Sequence, residues 1–289
     1  MDRLRCVVER ITYQNEQNGC DLSMCRESRI DLIGRDYSMS KAWELYDALI
    51  ESIPGEPVVE DCIIGLNWTY VCAGDYAGIA MTFQGSSASG LSDGPYIGRP
   101  LREVAAGIKS WEMLRASVGM AAVNAWYNSP DKMAALGLAQ TAEAAGAGES
   151  IFNEPLESLL GKKVAVIGHF PYIEKQLGGK CELSILEREP EGGDYLDSAC
   201  EYLLPEQDFV FITGMTLTNK TLPRLLTLTE NAKTILVGPT SPITPLLFRC
   251  GVDSIAGFYV TDRERTRALA AQAAHREIFR GGRRIVYSK

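Results

Sequence analysis

From about Leu160 onward the chain repeats one unit: a short β-branched or aromatic run, a loop, then residues at helical spacing. The runs are Lys163 to Ile167, Glu182 to Leu186, Asp208 to Ile212, Ala232 to Val237 and Ser254 to Val260. Short continuous apolar runs fit strands covered on both faces, the situation inside a parallel sheet. Strands separated by helices join through right-handed crossovers, so the expectation is an α/β fold with a Rossmann-like, doubly wound, mostly parallel sheet. Val164, Val166, Phe209, Phe211, Ile235 and Val237 are then core residues of neighbouring strands. Tyr195 to Leu203 and Asp262 to about Phe279 read as helices, and Arg284 to Tyr287 as an edge strand.

The earlier half has a different rhythm. Ser40 is placed to cap a helix whose apolar positions are Trp43, Leu45, Tyr46, Leu49 and Ile50, and Pro54-Gly55 stops it. Val58 to Val71 and Tyr76 to Phe83 read as two strands joined by a turn at Ala73-Gly74-Asp75. Gln84 to Gly98 is a Gly/Ser/Pro loop, and Leu101 to Ile108 and Trp111 to Trp126 are helices. The small residues of the second helix allow another backbone to come close. Asp131 to Asn153, rich in Ala and Gly, is the natural linker. These readings divide the chain into an extension (1–37), a small α+β domain (38–153) and the Rossmann-like domain (154–289).

A net charge of −8 argues against nucleic acid as a partner, since phosphate affinity rests on clustered Lys and Arg. Seven arginines between Arg263 and Arg284 form a local exception that reads as a solvated face. No apolar run approaches the roughly 20 residues that span a bilayer, and the first ten residues lack a signal-peptide core. The expectation is a cytoplasmic protein without a membrane partner, its eight cysteines reduced. Leu4 to Tyr13 reads equally as strand or short helix. Cys20 and Cys25 are the closest cysteine pair but have no third or fourth ligand at metal spacing, so cysteines are not expected to form the principal metal site.

In an open α/β sheet, ligands bind beyond the C-terminal ends of the strands, at the switch point of strand order. The first such loop, Gly168-His169-Phe170-Pro171, has one glycine where a dinucleotide fingerprint has three. His169 is the better placed of two histidines for acid/base or metal work, the other being His275 in the C-terminal helix. Glu187 ends the second strand, where an acid holds a ribose hydroxyl in nucleotide-binding relatives; a solvated surface acid is the equal alternative. The loop from Thr213 to Thr221 carries more hydroxyl and amide groups than helix capping needs, and Gly238-Pro239-Thr240-Ser241-Pro242 repeats the theme. Both offer N–H groups and hydroxyls to an anion.

The His169 loop, the Thr213 to Asn219 stretch and Val237 to Pro242 together resemble the heavy-metal chelatase family. Ile64-Gly65-Leu66-Asn67-Trp68-Thr69 and the helix ending Ala122-Val123-Asn124-Ala125 look like that family's first domain. The resemblance covers about Ser40 to the C-terminus. It implies a Rossmann-like domain after a domain similar to the N-terminal domain of enolase. It also implies handling of a divalent metal ion in a cleft between them, with insertion into a tetrapyrrole-like ligand as the enzymatic form. Asn67 and Asn124 would then face Phe170, Thr213, Thr218, Asn219, Thr240 and Ser241 as ligand-binding residues, with His169 and Glu187 as the catalytic pair. A nucleotide- or S-adenosylmethionine-binding enzyme and a non-catalytic metallochaperone stay open, as does a homo-oligomer.

Overall fold

A computed structural model describes residues 39–83, 95–139, 143–144, 156–170 and 173–289. The expectations for residues 1–37, for Cys20 and Cys25 and for most of the 84–98 loop lie outside them. Glu44–Lys289 form one compact unit; of the unit before it, only the start of the first helix is described.

The small sheet is an antiparallel meander of β1 (Asp61–Ile64), β2 (Trp68–Ala73) and β3 (Tyr76–Met81). The single strand expected from Val58 to Val71 is thus two. The chain turns between them, closed by a hydrogen bond from Gly65 N to Trp68 O at 3.1 Å. Glycine is required there, because a Cβ on Gly65 would lie 2.2 Å from the carbonyl oxygen of Ala270. β2 is buried along its whole length.

Helices α1 (Met39–Glu51), α2 (Leu101–Ala105) and α3 (Met113–Tyr127) complete this half. α3 is buried all round from Ala116 to Ala125, which explains its lack of a polar stripe. Its small residues admit close backbones: a Cβ on Gly78 of β3 would meet the Ala125 nitrogen at 2.1 Å. Beyond Pro130 the stretch read as linker contains a further helix, Pro130–Ala135, and the short strand β4 (Glu143–Ala144). Pro130 opens that helix, where its fixed φ fits and no N–H is lost.

The large sheet also holds β5 (Lys163–Ile167), β6 (Glu182–Glu187), β7 (Tyr195–Leu196), β8 (Phe209–Thr213), β9 (Lys233–Val237), β10 (Ser254–Val260) and β11 (Gly282–Ser288). Its order is β4-β11-β10-β9-β8-β5-β6-β7, parallel from β10 through β7 and antiparallel at β11 and β4. This is the doubly wound, mostly parallel sheet expected. Val164, Val166, Phe211, Ile235 and Val237 form its core with Ile173 and Leu177, and Phe209 packs against them part-buried. The helix expected at Tyr195 to Leu203 begins instead as edge strand β7, because Tyr195 and Leu196 pair with Leu186 and Glu187. The C-terminal helix ends at Ala271, earlier than expected, and Ala273 then turns through positive φ. The chain moves from β5 to β6 on one side and to β8 on the other, so the switch point lies between β5 and β8.

Candidate functional site

The first strand-end loop leaves β5 through Gly168, at φ +99°, a conformation that favours glycine. The next residue, His169, is fixed from two sides. Its backbone N–H donates to Glu187 Oε2 at 2.8 Å, and Nδ1 lies 2.9 Å from Asp194 Oδ2. Asp194 reaches this position because its loop, between β6 and β7, folds back over the end of β5. Its carboxylate also accepts from Glu191 N at 3.2 Å, and its side chain is only 2% exposed. Glu174, in the first turn of the helix Ile173–Leu177, brings Oε1 to 3.8 Å from His169 Nε2 and stays exposed.

One donor atom from each of His169, Glu174 and Asp194 falls within 4.8 Å of the others. The Asp194 hydrogen bond raises the His169 pKa, outweighing the opposing effect of burial; the Asp194, Glu174 and Glu191 charges add to it. A buried carboxylate on Nδ1 fixes the tautomer and turns Nε2 outward, the arrangement that commonly stands behind a metal-bound histidine. Two donors sharing one ion at about 2.1 Å each sit roughly 3 Å apart, so an exposed Glu174 side chain needs to move by less than an ångström. The set of one imidazole and carboxylates suits a borderline transition-metal ion better than a thiolate-seeking one. None of the described cysteines belongs to the cluster, and burial raises the thiol pKa of Cys62, Cys181 and Cys200.

Glu187 is adjacent but differently occupied. Its two carboxylate oxygens accept the backbone N–H groups of His169 and Arg188, tying the ends of β5 and β6 together. Phe170 turns inward against the core of the large sheet. Thr213 borders the same loop, since a Cβ on Gly168 would lie 3.2 Å from its methyl carbon.

Of the other residues singled out from the sequence, Asn124, Thr240 and Ser241 gather along a seam between α3, β3 and the loops after β8 and β9. Asn124 Nδ2 donates to Ile79 O and Pro239 O, and Met81 N donates to Thr240 Oγ1. Ser241 O accepts from Asn128 Nδ2, whose amide also accepts from Ile243 N and donates to Phe258 O. Asn124 Oδ1, Thr218 Oγ1 and Ser241 Oγ are buried and find no partner among the described residues. Asn219 closes a local turn by accepting from Thr221 N and Oγ1. Asn67 is bound elsewhere, to the carbonyls of Ala273 and Ala274.

Asp194, Glu174 and Asn128 were not anticipated from the sequence. Glu174 follows His169 closely enough to have been weighed as its partner. Asp194 lies 25 residues away across a crossover, and only the β6–β7 pairing brings it back. Asn128 reads locally as the end of a helix.

Two family profiles match the chain, both described as "Putative heavy-metal chelation": DUF4213 over residues 46–127 and DUF364 over residues 151–289. A crystal structure of a DUF364-family protein of unknown function from Desulfitobacterium hafniense superposes with a TM-score of 0.76 at 37% identity, covering 87% of this chain and 99% of that one. A second DUF364-family structure of unknown function, from Pyrococcus horikoshii, gives 0.71 at 21% identity over 86% of this chain and 100% of that one, a likeness of fold. An uncharacterised protein of Methanocaldococcus jannaschii is 37% identical over 127 residues, which are 42% of this chain and 49% of that relative, so the match spans about half of its length. With one profile on each half and 37% identity across nearly all of a solved member, the chain belongs to the DUF364 family.

Proposed function

We propose that the protein binds a divalent borderline transition-metal ion as cargo, through His169 Nε2 and Glu174, with Asp194 holding the imidazole from behind. The observation that carries this is the convergence of the three side chains at the β5 end of the switch point, in a chain whose two family profiles both refer to heavy-metal chelation. Insertion of the ion into a tetrapyrrole-like ring is the enzymatic form of this reading. A ring must lose its N–H protons to take a metal, and that form needs a base other than His169, whose two nitrogens are taken by Asp194 and the ion. A metallochaperone differs by lacking that turnover.

Nickel chloride titrated into tag-free protein by calorimetry tests the reading, and His169→Ala is the decisive variant. The expected result is one ion per chain and at least a tenfold loss of affinity in the variant, while His275→Ala binds as the parent does. Undiminished binding by His169→Ala would move the site elsewhere.

A second reading rests on the seam. Asn124 Oδ1 and Ser241 Oγ, buried at the loop after β9 and without a partner among the described residues, support a small polar ligand or bridging water there.

A further inference from the structure

The number and placement of the donors say more about the cargo. With Asp194 engaged on Nδ1, the cluster offers an ion two ligands, His169 Nε2 and a Glu174 oxygen, which lie 3.8 Å apart and become neighbours on the coordination sphere once the exposed Glu174 side chain shifts by under an ångström to about 3 Å. An octahedral ion held this way keeps four positions on the side away from the protein. Among the described residues that side is open: Glu174 is 59% exposed, and Tyr195 and Leu196, directly after Asp194, are both exposed. Two donors compete poorly with multidentate ligands for a free ion, and a site of this shape is suited to a partner that supplies the other four. The surroundings also set a charge. The stretch 187–194 carries Glu187, Glu189, Glu191 and Asp194 against Arg188 alone, with Glu174 opposite. Carboxylates in this number attract a cationic complex and repel an anionic one.

We propose that the site takes its metal as a cationic chelate, an ion held by a four-donor organic ligand of neutral nitrogen donors with two adjacent positions open. This rests on the metal site proposed above. Binding forms two bonds, from His169 Nε2 and a Glu174 oxygen, and releases the two waters that filled the open positions. No redox change and no further reactant is involved.

Three nickel complexes and nickel chloride alone separate the outcomes in calorimetric titrations of the tag-free full chain. Ni(II) with tris(2-aminoethyl)amine is cationic with two adjacent open positions. Ni(II)–nitrilotriacetate has the same open positions but is anionic. Ni(II)–cyclam is cationic with its open positions on opposite faces. The expected result is that the first binds at least as tightly as nickel alone, at least tenfold more tightly than the second, and that the third does not bind. His169→Ala and Glu174→Ala should each weaken the first complex at least tenfold. Binding of nickel alone at His169 with no binding of the first complex overturns the chelate proposal and leaves the metal site standing. Equal binding of the first two complexes overturns the charge requirement. Binding of neither nickel nor any complex overturns both proposals.

Discussion

The loops after β5 and β9 emerge from the same end of one sheet, separated by β8, and both carry polar side chains. Around the β9 loop those groups are turned inward. Thr240, Ser241, Asn124 and Asn128 are buried and hydrogen-bond the small sheet, α3 and the strand ends to one another. At the β5 loop the inward position is taken by a carboxylate, Asp194, while His169 Nε2 and Glu174 face outward. The comparison teaches that a polar strand-end loop has two uses. Amides and hydroxyls can satisfy buried backbone groups at low cost, whereas an imidazole backed by a buried acid presents a donor to something outside the chain.

The largest effect should come from breaking the first kind of loop. Asn128→Ala removes three hydrogen bonds to buried backbone groups and leaves those groups unpaired. It should cost about 3 kcal/mol or more in denaturant unfolding, while nickel affinity per folded chain stays the same. A loss below about 1 kcal/mol would mean that the seam is held by something else.

Asp194→Asn reverses the pattern. Metal affinity should fall about 10- to 100-fold, as when the carboxylate behind a metal-bound histidine is lost. Calorimetry reads the affinity, and an unchanged value would make Asp194 a purely structural residue. Thr218→Val sharpens the seam further. If the hydroxyl has no partner, an apolar isostere is neutral or stabilising by up to about 1 kcal/mol. A clear destabilisation would show that a water or ligand partners the Thr218 hydroxyl.

The smallest effect belongs to Lys220, just beyond Thr218. Its ammonium donates to the carbonyls of Thr218 and Ser110, and burial lowers its pKa from 10.5 to about 8. Between those values the folded chain binds fewer protons at this residue than the unfolded chain, so folding stability gains as pH rises from 8 to 10.5. Measured against Lys220→Met, that gain has a ceiling of about 3 kcal/mol, and solvent contact at the half-buried ammonium brings it below the effects above. A gain as pH falls would contradict the assigned direction.

Much of the large sheet was legible because each strand announces itself locally. Val164 and Val166, or Ile235 and Val237, face one buried side while Ala165, Val210 and Leu236 are buried on the other, so the runs are apolar throughout. Legibility failed where one backbone meets another. Val58 to Val71 is uniformly strand-like, yet the close approach at Gly65 divides it. Tyr195 to Leu203 has helical spacing, yet pairing with Leu186 and Glu187 draws its start onto the sheet. Within the candidate site His169 was visible as a histidine at a strand end. Glu174 and Asp194 were hidden among the many carboxylates of an acidic chain.

By itself, the sequence determined the alternation of strands and helices, the parallel sheet and the end of it where ligands should be sought, because hydrophobic period and turn residues act over a few neighbours. Tertiary structure alone decided that Asp194 meets His169, that Glu187 ties two strand ends, and that Asn128 holds the seam. Those encounters join residues 18 to 130 positions apart, and only strand order and register place them.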